Sequence, residues 1–200
     1  NFIAGVNAGN SIASGSTYNV VVGDEAGTAI TTGDANVAIG FSALATEDAH
    51  GFNTAVGHET LKVLNAGADA YNTAVGFRAG TAVTTGINNT LIGGLAGDSI
   101  TTGGSNVALG TSALSANTNA SGNTAVGYVS LTSNTTGTNN VALGSNSLQP
   151  NTTGSQNTAL GKGASASNST GSNNTSVGFE ALVSNTTASN NTAVGYQAGY

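Results

Sequence analysis

Residues Asn106-Val107-Ala108-Leu109-Gly110 return seventeen positions later as Asn123-Thr124-Ala125-Val126-Gly127, and again as Asn140-Val141-Ala142-Leu143-Gly144. The unit reads Asn, then Thr or Val, then a small or apolar residue, then Val, Ile or Leu, then Gly. It recurs twelve times, the first copy loosely. Its glycines are Gly5, Gly23, Gly40, Gly57, Gly76, Gly93, Gly110, Gly127, Gly144, Gly161, Gly178 and Gly195. Gaps are 18, 17, 17 and 19, then seven of 17. The Asn four places earlier is invariant within the chain: Asn1, Asn19, Asn36, Asn53, Asn72, Asn89, Asn106, Asn123, Asn140, Asn157, Asn174 and Asn191. A fixed period of this kind is the mark of a repeat architecture.

The period is too short for the common helical arrays. β-branched residues ahead of each Gly, among frequent Asn, Thr and Gly, also disfavour helix. Thr54-Ala55-Val56 and Val107-Ala108-Leu109 read as short strands ended by glycine. A second Gly follows ten residues after the first in eight of eleven complete units: Gly15, Gly33, Gly67, Gly86, Gly103, Gly137, Gly154 and Gly171. The expected fold is therefore all-β, a parallel β-solenoid of about twelve coils of ~17 residues with two corners and two short strands per coil. At ~4.8 Å per coil the rod would run roughly 55–60 Å.

Each coil carries an apolar plug from one of two positions. Where the fourth residue after the repeat Gly is Gly (Gly9, Gly27, Gly80, Gly97), the seventh is Ile12, Ile30, Val83 or Ile100. Where the fourth is Leu (Leu44, Leu114, Leu131, Leu148, Leu182), the seventh is Glu47, Asn117, Asn134, Asn151 or Asn185. The exchange holds core volume nearly constant, as a close-packed interior requires. Two coils depart: Leu61 and Leu64 are both apolar where the gap is 19, which predicts a bulged loop, and Ser165 with Asn168 predicts a weak coil.

Strand side chains alternate between faces, so Val75 and Ala74 point opposite ways. Both positions are small or apolar in nearly every unit, which predicts two covers. One is the coil interior and the other a neighbouring chain; a stable single chain would leave the Ala74 side solvated or self-covered.

Composition narrows the function. Charged residues make up 6% of the chain and the net charge is −6. Three basic residues, Lys62, Arg78 and Lys162, cannot form the patch that nucleic acid needs. No apolar stretch is long enough for membrane insertion by this segment. Of nine acids only Asp98 and Glu180 fall after residue 69, and no nucleophile–base–acid set emerges, so no catalytic role and no cofactor are expected. Asp48, His50, His58 and Glu59 gather in adjacent coils, but their spacing matches no metal-ligand motif and no metal is assigned. Glu59 and Arg78 hold equivalent places in successive coils and suit a salt bridge. The Asn column predicts a structural ladder, the alternative being a ligand-binding comb. The residue after the repeat Gly is often a ring, as at Phe41, His58, Phe77, Tyr128, Phe179 and Tyr196. That row either shields the coil edge or supplies a surface contact.

The units Asn36-Val37-Ala38-Ile39-Gly40 and Asn106-Val107-Ala108-Leu109-Gly110 resemble the head repeat of YadA-like trimeric autotransporter adhesins. The longer form Asn191-Thr-Ala-Val-Gly-Tyr-Gln-Ala-Gly199 is similar to repeats of phage-type tail fibres and bacterial surface fibres. The period here exceeds that of the adhesin head. The resemblance implies a left-handed β-roll, a homotrimer, an extracellular, cell-surface or virion location, and attachment to a host-surface glycan or protein. Alternatives are a tail-fibre shaft with recognition at a separate tip, and an ice-binding solenoid using Thr54, Thr73, Thr90, Thr124, Thr158, Thr175 and Thr192. Neither end shows a capping coil, so residues 1–200 are expected to be one repetitive segment of a longer fibre.

Overall fold

A computed structural model describes all of residues 1–200. Twelve three-residue strands, β1 (Phe2–Ala4) through β12 (Thr192–Val194), form one parallel sheet in which spatial order equals chain order. The chain is thus an all-β parallel solenoid with about 17 residues per coil and eleven complete coils between the twelve strands. Register is strict even across the 19-residue gap, where Thr54, Ala55 and Val56 pair with Thr73, Ala74 and Val75.

Each coil holds one strand, not two. Of 120 backbone hydrogen bonds, only 22 join strand residues to one another, and coils also stack through their turns, as Thr84 N–H to Thr101 O (2.9 Å) and Thr101 N–H to Thr118 O (2.7 Å) show. The second strand is missing because three successive N–H groups on the return path, those of Thr84, Thr85 and Gly86, all turn to the one Thr101 carbonyl instead of forming a ladder, and left-handed residues bound that path. In the coil between Gly93 and Gly110 these are Leu95 (φ 60°), Gly97 (φ 56°) and Ser105 (φ 58°). Isolated left-handed residues make turns and break extended backbone.

The strand faces are assigned opposite to the expectation that left the Ala side for a partner. Val21, Ala38, Ala55, Ala74, Leu91, Ala108, Ala125, Ala142 and Ala159, the middle residues of their strands, have no exposed surface. They line the coil interior, and the flanking Thr/Val and Val/Ile/Leu positions face outward. Ala fits inside because the plug arrives from the turn side: Ile30, Leu44, Leu61, Leu64, Ile100, Leu114, Leu131 and Leu148 are fully buried in the same cluster.

The exchange between fourth and seventh positions is steric. A Cβ on Gly27 would lie 2.8 Å from Ile30 Cδ1, and one on Gly97 would lie 2.8 Å from Ile100 Cδ1. Leu at the fourth position adopts φ near 50° (Leu44 49°, Leu131 51°). Left-handed backbone costs a Leu about 1–2 kcal/mol, which burial worth about 1.5–3 kcal/mol offsets.

Asn side chains tie the coils together. Asn106 Oδ1 accepts from the Asn123 N–H at 3.0 Å, and Asn89 Oδ1 accepts from the Asn106 N–H at 3.0 Å. Asn106 Nδ2 also crosses its own coil to the Ala120 carbonyl at 3.0 Å. A second set, Asn134, Asn151 and Asn168, donates to the corner carbonyls of Gly137, Gly154 and Gly171 at 2.8–3.0 Å. The repeat glycines are required by coil spacing: a Cβ on Gly110 (φ 135°) would sit 2.5 Å from the Gly127 carbonyl oxygen.

The two extra residues of the long coil bulge at its corner. Gly67, Ala68 and Asp69 are exposed while Leu61, Leu64 and Ala70 stay buried. In the coil lacking an apolar plug, Ser165 Oγ bonds Ser176 Oγ at 2.9 Å and both are buried.

Candidate functional site

The longest continuous feature of the surface is the outward side of the sheet. Its first column is Val20, Val37, Thr54, Thr73, Thr90, Val107, Thr124, Val141, Thr158 and Thr175, all half-buried. Its second column is Val22, Ile39, Val56, Val75, Ile92, Leu109, Val126, Leu143, Leu160 and Val177. Within the stack Ile92 is 40% and Leu143 46% exposed. Parallel in-register pairing aligns these columns along the whole rod, giving a stripe that bears no charge, its second column apolar throughout and its first divided between Val and Thr.

The aromatic row divides into groups. Phe41, His58 and Phe77 stack in succession, with centroids 5.1 and 5.4 Å apart. Phe179 stacks on Tyr196 at 5.6 Å, and Lys162 Nζ lies 5.8 Å from the Phe179 centroid. Tyr128 stands alone, between coils that carry Thr111 and Ser145. Stacked rings spend their faces on each other and present edges to solvent, whereas sugars pack on faces. A second stack joins Phe52 to Tyr71 at 5.1 Å. Both rings precede a repeat Asn, a position shared with Tyr18 and otherwise not aromatic, so that no column of rings marks it in the sequence.

The repeat Asn side chains are not a comb. Asn36, Asn53, Asn72, Asn106, Asn123 and Asn140 have no exposed surface, and their amides are spent on neighbouring coils and corners.

The acids and histidines separate into two places. Glu59 accepts from Lys62 Nζ at 2.6 Å and lies 3.7 Å from Arg78 Nε. The Lys62 hydrogen bond holds its carboxyl below the usual range. His58 belongs to the ring stack. Asp48 and His50 instead meet Glu47, which the sequence reading had treated only as a polar seventh residue. Glu47 is fully buried and its Oε1 lies 3.5 Å from His50 Nδ1. Burial pushes the Glu47 carboxyl up. Burial also pushes Asp98 up, with Arg78 opposing it.

The one concavity, of about 670 Å³, is the uncovered face of the last coil, lined by Leu182, Asn185, Ala193 and Gly199 among others. Comparison of the chain with family models, curated proteins and solved structures found no match.

Proposed function

We propose that this chain is a structural segment of a homotrimeric extracellular fibre, a left-handed β-roll that spaces or displays a surface-attachment function on a cell or virion. The observation that carries the reading is the outward apolar stripe. A face about three residues wide and ten or more coils long covers on the order of 500 Å², at the upper end of what a soluble monomer exposes. A sheet apolar on both sides asks for a second cover, and a second copy offers the same period. Threefold association rests on the resemblance of the repeat to trimeric adhesin heads. A tail-fibre shaft with its recognition tip elsewhere fits the same observations.

The chain lacks cysteine, so a single introduced thiol reports one site. Val126→Cys should react with a maleimide at least ~10-fold more slowly than Tyr18→Cys, at a position 82% exposed. Equal rates would overturn the reading.

The Thr column favours a second reading of the same stripe, an ice-binding face. Val107 and Val141 interrupt that column, and the neighbouring one mixes Val, Ile and Leu, which spoils a regular flat array. Thermal hysteresis in solution would establish the ice reading; its absence would end it.

A further inference from the structure

The third coil, between Gly40 and Gly57, departs from the repeat at three places at once. Its seventh residue is Glu47, where other coils have Asn or an aliphatic residue. Its eighth is Asp48, where most have Thr. Its corner is His50, where eight coils have Gly and two have Ala. The carboxylate and imidazole donors of these three residues lie within 4.8 Å of one another.

The burial of Glu47 makes this more than a surface cluster of acids. In the neighbouring coils the same position is Ile30 and Leu64, so no Asn stands above or below to share an amide. Glu47 Oε2 accepts from the Ala66 N–H at 3.4 Å, while Oε1 has no hydrogen-bond partner. His50 Nδ1 is likewise buried and without a partner, and it lies 3.5 Å from that oxygen. Two unpartnered donor atoms thus converge, one of them on a side chain with no exposed surface. The Asp48 carboxylate completes one side; its Oδ1 accepts from the Ala49 N–H at 2.5 Å. His50 is 29% exposed, which leaves a way in from solvent. The next coil bulges at Gly67–Asp69 beside this corner, whereas at Gly86 the carbonyl of the next corner, Gly103, would meet an added Cβ.

We propose that Glu47, Asp48 and His50 form a binding site for a borderline first-row divalent cation of the Zn²⁺ class, with solvent at the remaining position. One nitrogen and two carboxylate oxygens are a donor set that such ions accept. Two ligands at ~2.1 Å from a tetrahedral ion stand roughly 3.4 Å apart, the separation of Oε1 and Nδ1. The ion would pin the corner beside the bulge.

Calorimetric titration of the purified chain with ZnCl₂ tests this. One ion per chain is expected, with a rise in unfolding temperature on adding Zn²⁺. His50→Gly and Glu47→Asn each restore the repeat's own residue, so both should fold, as circular dichroism would check. Each should weaken Zn²⁺ binding by at least ~100-fold and abolish the thermal shift, whereas His58→Phe should leave both unchanged. Co²⁺ added in place of Zn²⁺ should give visible absorption bands of a low-symmetry site in the wild type and His58→Phe, and none in His50→Gly or Glu47→Asn. No Zn²⁺ binding to the wild type, or equal binding by His50→Gly and Glu47→Asn, would overturn the assignment and leave a buried Glu–His contact.

Discussion

Ala74 and Val75 are adjacent in one strand, yet Ala74 has no exposed surface and Val75 lies half-buried on the outside. The smaller residue is the core residue. The plug from the turn side fills most of the coil's width, so a methyl suffices at most inward positions, Val21 and Leu91 filling the space beside Gly27, Gly80 and Gly97, and the larger β-branched side chain is turned out. That inversion produces the apolar stripe on which the functional proposal stands.

The Asn column holds the coils in register. Asn106→Ala would leave the buried Asn123 N–H without its acceptor and take one donor from the Ala120 carbonyl. Unsatisfied buried groups cost about 1–3 kcal/mol each. A loss of about 2–4 kcal/mol is expected in chemical denaturation, against less than about 0.5 kcal/mol for the exposed Asn10→Ala.

Two glycines separate backbone requirement from composition. Gly110→Ala would force a Cβ to within 2.5 Å of the Gly127 carbonyl oxygen. It should cost more than about 3 kcal/mol, since strain and a backbone clash combine. Gly94 has open space around its Cβ position, and Gly94→Ala should be neutral or stabilise by about 0.4–1 kcal/mol. Thermal melts of the two variants check the pair.

The polar coil is open to improvement. Ser165 and Ser176 bond each other where other coils have Leu and Ala. The double variant Ser165→Leu/Ser176→Ala restores the plug and removes both hydroxyls together. A gain of about 1–2 kcal/mol is expected in equilibrium unfolding, with Ser165→Leu alone gaining less because it leaves the buried Ser176 hydroxyl only its long bond to the Thr158 carbonyl at 3.4 Å.

Asp98 should make stability depend on pH. Burial raises its folded pKa, and its Oδ1 has no hydrogen-bond partner. The folded chain therefore holds this proton more tightly than the unfolded chain. Its contribution is most favourable below the ordinary aspartate value and declines as pH rises through the raised one. Asp98→Asn should raise the unfolding temperature at pH 7, and the difference should vanish near pH 3.

The period, the strand positions and the plug exchange were legible in the sequence because each fixes one residue type at one spacing. Asn89 and Asn106 announce the ladder, and Gly93 and Gly110 announce the close approach of coils. The face assignment was not legible. Ala74 and Val75 are both apolar, and only the position of the turn-side plug decides which one turns inward. The single strand per coil was hidden too, since Thr84-Thr85-Gly86 has strand-like residues whose three N–H groups all turn to the one Thr101 carbonyl. Glu47 escaped notice because its position is polar in five other coils; the signal was that Glu47, Asp48 and His50 all break the repeat within one coil.

The most direct test of the account is the solution mass of the 200-residue chain by size exclusion with light scattering, beside Ile92→Asp/Leu143→Asp on the outward stripe. The account predicts close to three chains for the wild type, about 58 kDa from three copies of 19.2 kDa, and dissociation of the variant. A folded wild-type monomer of 19.2 kDa would contradict it, showing that the stripe is at home in water.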